Sequence, residues 1–203
     1  MPELLLAGGG NQMSTYEEMY RENLENRILV LNDEIDEAVI DDFILYILKW
    51  NKEDMNLPVE NRMPIKFYIS SPGGNVFDAN ILIDVILQSK TPVLGIGLDL
   101  VASAGFLVYL ACGTRYCFKN SSYLQHEGEM SLENSRSKLK DTVKYFDDSE
   151  VMVKEYILSR TKMTSEFYDE VYTKELWMHS EYAKELGVVH KIIGIDCDMD
   201  EIL

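Results

Sequence analysis

The run from Val93 to Gly113, VLGIGLDLVASAGFLVYLACG, constrains this chain more than any other segment. It reads as a buried strand, a tight turn carrying Ser103, and then an apolar helix. A helix N-terminus presents unpaired backbone N–H groups and the positive end of a dipole, so Ser103 would stand where developing negative charge is favoured. The small residues Ala102, Ala104 and Gly105 leave room beside it for a substrate carbonyl. That combination suits a nucleophile facing its own oxyanion site. A serine N-cap between a core strand and a core helix accounts for the same residues. Other parts of the chain have to decide.

Elsewhere the pattern is α/β. Ile28 to Leu31 reads as a short buried strand, and Asp33 to Lys52 as an amphipathic helix with Ile35, Val39, Phe43, Ile47 and Trp50 on one side. An exposed loop from Lys52 to Pro64 leads into a strand, Ile65 to Ser70, which ends in Ser71-Pro72-Gly73-Gly74. A helix over Asp78 to Ser89, a strand over Pro92 to Leu98 and a helix over Ser103 to Ala111 follow. Short strands are expected at Arg115 to Phe118 and Tyr123 to Gln125. Leu132 to Arg160 breaks the rhythm with a long, charged, helix-rich stretch. Glu181 to Gly187 and Val188 to Ile193 close the chain as helix and strand. Alternating strands and helices imply crossovers and a mainly parallel sheet. At 203 residues the chain has the size of one domain with a large core.

Charge and composition remove several function classes. The formal net charge of −16 argues against nucleic acid, whose phosphates such a surface would repel. No apolar run reaches the roughly 18 residues that span a bilayer. The start, MPELLLAGGG, lacks the basic flank and long apolar core of a signal peptide. It reads as a sticky patch, Leu4 to Leu6, on a flexible tether, Gly8 to Gly10. Cys112, Cys117 and Cys197 have no metal-like spacing, which fits reduced thiols in a cytoplasmic protein. No GxxxxGK[ST] occurs, so nucleotide hydrolysis through a P-loop is not expected, and neither a metal nor any other cofactor is implied.

Three further positions stand out. Ser71-Pro72-Gly73-Gly74 directly follows a strand, where glycine lets the backbone turn sharply and bring an N–H against a ligand. A plain strand-to-helix turn explains it equally well. Any imidazole base must be His126, His179 or His190. His126 follows the Tyr123 to Gln125 strand, at the carboxyl edge where open α/β sheets bind ligands, although a single histidine also serves on surfaces and in cores. Glu175 lies in an exposed loop before the final helix, where a glutamate is ordinarily just solvated.

Taken in order, SSPGG, ASAG with its central serine, a histidine ending a strand and the closing AKELGVVHKII resemble the proteolytic subunit of the Clp protease, from about Arg27 to Ile193. Gly74 precedes Ser103 by 29 residues, as the family's oxyanion glycine precedes its serine. The Ser103 to His126 interval is slightly shortened in the Cys112 to Arg115 turn, and the gap from His126 to Glu175 matches the family's. The resemblance implies a single peptidase domain over residues 1–203. Its fold would be crotonase-like, made of repeated ββα units with a protruding helical handle at about residues 127–165 and a mobile segment over residues 1–20. It implies a cytoplasmic serine endopeptidase that cleaves unfolded polypeptides inside a chamber, a homo-oligomeric tetradecamer of two heptameric rings. A hexameric AAA+ unfoldase would be its partner. In those terms Ser103 attacks, His126 removes its proton, Glu175 orients the imidazole, and the Gly74 and Ala104 N–H groups hold the oxyanion. Tyr68, Ile96, Leu98, Tyr116 and Phe118 would form the pocket that receives an unfoldase loop; as sequence alone they can also be ordinary strand residues of a core, a reading that fits Ile96 equally well.

The departures from the family are specific. Glu175 replaces the triad aspartate, and Asp169, the nearest upstream carboxylate, has the wrong spacing. The family's GQAAS or GQASS reads here as Asp99-Leu100-Val101-Ala102-Ser103, which puts a carboxylate near the cleft wall. Glu127, Gly128 and Glu129 stand where the family has glutamine, proline and a glycine pair, so basic or neutral peptides should be preferred. Lys66 and Gln88 replace expected pocket aromatics. Two other classes remain open: a catalytically silent, ring-forming relative, suggested by Glu175 and Glu127, and an acyl-CoA enzyme of the wider crotonase fold, which would need neither Ser103 nor His126 at these spacings.

Overall fold

The computed structural model describes residues 14–129 and 135–203. Helix α1 (Thr15–Glu25) starts at a reciprocal cap in which Ser14 and Glu17 satisfy each other's backbone N–H groups. It therefore begins inside the 1–20 segment expected to be mobile; the Leu4 to Leu6 patch and its glycine tether lie outside the described residues. Strand β1 (Ile28–Leu31) follows where expected. The helix read from Asp33 starts later, as a π-helical turn at Ile40–Ile44 that continues into α2 (Leu45–Glu53). Its first residues are diverted because Ile35 bridges to the glycine turn: its N–H donates to the Gly73 carbonyl at 2.7 Å, and its own carbonyl accepts from the Asn75 N–H at 2.8 Å. Periodicity registers which residues are buried and cannot register this extended pairing.

Strand β2 (Ile65–Ser71) leads through Pro72 and the two glycines into α3 (Val76–Gln88), capped by the Asn75 side chain, which accepts from the Phe77 N–H at 2.8 Å. Strand β3 (Val93–Ala102) passes without a loop into α4 (Ser103–Ala111). Then come β4 (Thr114–Cys117), β5 (Ser122–Gln125) and the long α5 (Arg136–Arg160). Helix α6 (Ser165–Val171), strand β6 (Leu176–His179), helix α7 (Ser180–Glu185) and the two-residue β7 (Lys191–Ile192) complete the order. The α6 and β6 elements were not expected from sequence, and the Glu175 loop is correspondingly shorter than it reads. Leu132, the expected start of the charged, helix-rich stretch, lies outside the described residues; α5 itself is 25 residues, about 37 Å, long.

The sheet runs β1-β2-β3-β4-β7, parallel throughout. Strand β3 serves two neighbours, Leu94 to Gly97 pairing with β4 and Leu100 to Ala102 with β5; β6 then joins β5 antiparallel. Ile65, Phe67 and Ile69 of β2 and Val93 and Val101 of β3 point into the main core with Ile47, Trp50, Leu82, Phe106 and Leu110 from the helices. The opposite face carries a second, smaller apolar cluster centred on Ile96 and Tyr116. The carbonyl end of α4 is closed by two guanidinium groups. Arg115, 2% exposed, donates to the carbonyls of Leu110 and Cys112, and Arg160 to those of Leu110, Ala111 and Cys112. Cations there satisfy orphan carbonyls and complement the helix dipole, so α4 is anchored at one end and its N-terminus is left for chemistry. Burial and the Arg160 charge hold the Arg115 pKa below its ordinary value.

Candidate active site

Ser103 has a φ of +53°, a left-handed conformation that is uncommon for a residue with a Cβ. One residue thereby makes the whole turn from β3 to α4. Ala104, in the first turn of α4, has an N–H that lacks a helical acceptor. Ser103 is half-buried, whereas Ala102 and Ala104 are buried.

The glycine turn packs directly on it. A Cβ added at Gly73 would lie 2.6 Å from the Ser103 Cβ and 3.0 Å from the Ala104 nitrogen, so no larger residue fits without moving the serine. Gly73 (φ +105°) and Gly74 (φ +143°) both use backbone conformations that side chains resist. The buried Ser71 hydroxyl fixes the turn, donating to the Asp33 carbonyl at 2.7 Å and accepting from the Gly73 N–H at 3.2 Å. In the bridge to Ile35 the partners are Gly73 and Asn75, so the Gly74 N–H faces away from Ile35 and donates to no group among the described residues. Sequence reasoning singled out the Ser71 to Gly74 turn but gave a role only to Gly74, and nothing in the sequence marked Ile35 as other than a helical core position.

His126 sits one residue past β5, whose Val101↔Tyr123 and Ala102↔Leu124 pairing places it beside the carboxyl end of β3. The antiparallel pairing of β5 with β6 ends at Gln125↔Leu176; continued by one residue, the register sets His126 opposite Glu175. Ser103, His126 and Glu175 thus come from three adjacent chain segments at one end of the sheet. Among the described residues no hydrogen bond joins Ser103 to His126 or His126 to Glu175. The exposed Glu175 carboxylate instead accepts from the Trp177 indole N–H at 2.9 Å. Asp169 is engaged by Lys154 at 2.5 Å on the surface of α6. No group of three metal-ligating side chains occurs among the described residues.

A family model for the Clp protease matches residues 10–196. The chain belongs to the Clp protease family. Among curated relatives, the ATP-dependent Clp protease proteolytic subunit 2 of Treponema pallidum is 28% identical over 89% of this chain and 88% of its own. Its namesake from Treponema denticola is 24% identical over 94% of both chains. A ClpP1 mutant from Listeria monocytogenes superposes with a TM-score of 0.76 over 91% of this chain and 99% of that one, at 22% identity, which shows the shared crotonase-like fold. As a Clp protease family member the chain is a serine-type peptidase.

One of the Clp family departures acquires a local explanation. The Asp99 carboxylate does not stand free at a cleft wall: it accepts from the Ser70 hydroxyl and from the Leu100 N–H at 2.5 Å. Those bonds, the one to Ser70 first, hold its pKa below the ordinary carboxylate value. The pair spans the register shift between β2 and β3, where Ile69↔Gly97 gives way to Ser71↔Val101. Glu127 and Glu129, by contrast, are exposed beyond His126. The residues Tyr68, Ile96, Leu98, Tyr116 and Phe118 all gather in the second apolar cluster; Lys66 shares their face of β2, and Gln88 is exposed at the end of α3. No helix of the described residues is long and apolar enough to cross a membrane.

Proposed function

We propose that Ser103 is the nucleophile of an endopeptidase for unfolded polypeptides, with His126 as its base and Glu175 as the acid that orients the imidazole. The observation that carries this reading is the left-handed Ser103 at the head of α4, pressed against Gly73, with His126 at the end of the neighbouring strand. In the reaction, His126 takes the Ser103 hydroxyl proton as Oγ attacks the peptide carbonyl. The tetrahedral oxyanion is held by the N–H groups of Gly74 and Ala104, both without an acceptor among the described residues. His126 then gives the proton to the leaving amine, and water repeats the sequence on the acyl-enzyme. The Glu175 carboxylate accepts from the Trp177 indole through one oxygen, which leaves its other oxygen to receive the second imidazole N–H. Labelling with a fluorophosphonate probe tests the core of the proposal: the parent should react at Ser103 and Ser103→Ala should not. Peptide cleavage persisting in Ser103→Ala would overturn the assignment.

The working form is a tetradecamer of two heptameric rings in the cytoplasm, with α5 as the handle between rings and a hexameric AAA+ unfoldase docking on Tyr68, Ile96, Leu98, Tyr116 and Phe118. The exposed apolar side chains along α5, including Val143, Tyr145, Val151 and Met152, support the first part. The relatives' designation as ATP-dependent supports the second. Leu98→Glu should abolish ATP-dependent degradation of an unfolded protein and spare cleavage of a short peptide; unaltered ATP-dependent degradation would remove this docking assignment.

A further inference from the structure

The second apolar cluster is covered by the chain's own last residues. Ile202 is 1% exposed among Ile96, Tyr116 and Ile193, with Tyr68, Leu98 and Phe118 packed around them. The Tyr68 hydroxyl donates to the Ile202 carbonyl at 2.8 Å. Glu201 receives the Tyr116 hydroxyl at 3.1 Å and the Lys191 ammonium at 2.6 Å. These attachments are few. From Asp198 onward the described backbone N–H groups bond only within the turn, Glu201 to Asp198 and Ile202 to Met199, while Met199 and Leu203 project into solvent.

We infer that the C-terminal turn, Met199–Leu203, is a displaceable plug seated in the docking face. This inference rests on the docking assignment made above. A partner loop has to compete with a tethered segment whose effective concentration is in the millimolar range, so plug release sets the threshold for association.

A fluorescein-labelled hexapeptide with the chain's own sequence from Asp198 to Leu203, Asp-Met-Asp-Glu-Ile-Leu, tests this in trans by fluorescence anisotropy. The full-length Ile202→Asp variant, with its plug released and its seat intact, should bind the peptide at least tenfold more tightly than the parent. The same peptide with Asp in place of Ile should not bind. Because Ile202 is buried, Glu201→Lys provides a second route: it sets a cation against Lys191, leaves Ile202 in place, and should raise affinity at least threefold. Equal binding to the parent and to both variants, with thermal melts showing them folded, would overturn the plug; so would an absence of binding to all of them. Leu98→Glu separates the two readings. A tenfold shift in peptide binding, together with ATP-dependent degradation untouched by Leu98→Glu, keeps the plug and removes the docking assignment. Flat peptide binding, with degradation lost in Leu98→Glu, removes the plug alone.

Discussion

Adding one methyl group at Gly73 should silence the nucleophile without unfolding the chain. In Gly73→Ala the new Cβ would lie 2.6 Å from the Ser103 Cβ and 3.0 Å from both the Ala102 oxygen and the Ala104 nitrogen. Carbon atoms in contact prefer about 3.5–4.0 Å, so Ser103 and the turn must separate by about 1 Å. The Ser71 bonds and the Ile35 bridge hold the turn from behind, which directs the movement into Ser103 and Ala104. A misplacement of about 1 Å at a reacting group costs on the order of 10²-fold in rate, or about 2.7 kcal/mol in the barrier. The φ of +105° adds roughly 1–3 kcal/mol of strain to the folded state. For a chain of this size that lowers Tm by about 2–4 °C per kcal/mol, which still leaves a folded protein at 25 °C. The fluorophosphonate labelling rate at 25 °C measures the first effect and a thermal melt the second. Gly113→Ala is the control, since its Cβ would meet only the Val93 carbonyl at 3.5 Å. A Gly73→Ala protein that labels within threefold of the parent would refute the claim that this packing positions the serine.

Glu175→Gln should lower peptide cleavage by on the order of 10²- to 10⁴-fold with Glu175→Asp tolerated, and Trp177→Phe, which frees the carboxylate, should hold or raise the rate; steady-state rates within threefold of the parent for both Glu175→Gln and Glu175→Ala would remove Glu175 from the site. Light scattering should find a particle of about fourteen chains, and a mass of 23.4 kDa at micromolar concentration would refute the rings. The buried Asp54 is held well below its ordinary value, first by the paired hydrogen bonds from Arg27 at 2.5 and 2.9 Å and also by Thr91. Its folded pKa is therefore the lower one, so the stabilisation is complete above the unfolded value of 3.8 and is lost as pH falls through the folded pKa. Thermal melts should show Asp54→Asn destabilised by about 3 kcal/mol at neutral pH, with the gap to the parent closing below pH 3.8; a constant gap would mean that charge is not what the pair contributes.

Elements with a continuous apolar run were legible, as α4 shows: it is buried on all sides from Ala104 to Ala111, and its apolar run fixes the helix from Ser103 to Ala111 as read. Ser103 and His126 were legible as residues at strand ends, whereas Glu175 was reached only through the family's spacing and comes opposite His126 through the β5–β6 pairing. What stayed hidden depends on pairing between distant segments. Ile35 has the spacing of a helical core residue, yet its backbone braces Gly73 and Asn75. Strand β6 is only four residues long and alternates buried with exposed, a pattern too brief to separate from a loop. Arg115 reads only as the first residue of a short strand, and the fold brings the carbonyls of Leu110, Cys112, Arg160, Gly187 and Val188 around it.

Asp99 joins the two halves of the molecule's chemistry on one strand. The Leu94 to Leu98 half of β3 lies along β4 and offers its outer side chains to the second apolar cluster. The Leu100 to Ala102 half lies along β5 and delivers Ser103. A regular strand cannot serve both neighbours, because β4 and β5 follow one another on the same side of β3. The register shift opposite Ser70 supplies the extra length and the bend. A shifted segment leaves backbone groups without ladder partners, and the Asp99 carboxylate answers that locally by accepting from Leu100 N–H and tying itself to Ser70. The carboxylate that stands where the family has a glycine is thus explained by the strand it sits in and not by substrate charge. The electrostatic bias of the cleft then falls to Glu127 and Glu129, which remain exposed beside His126.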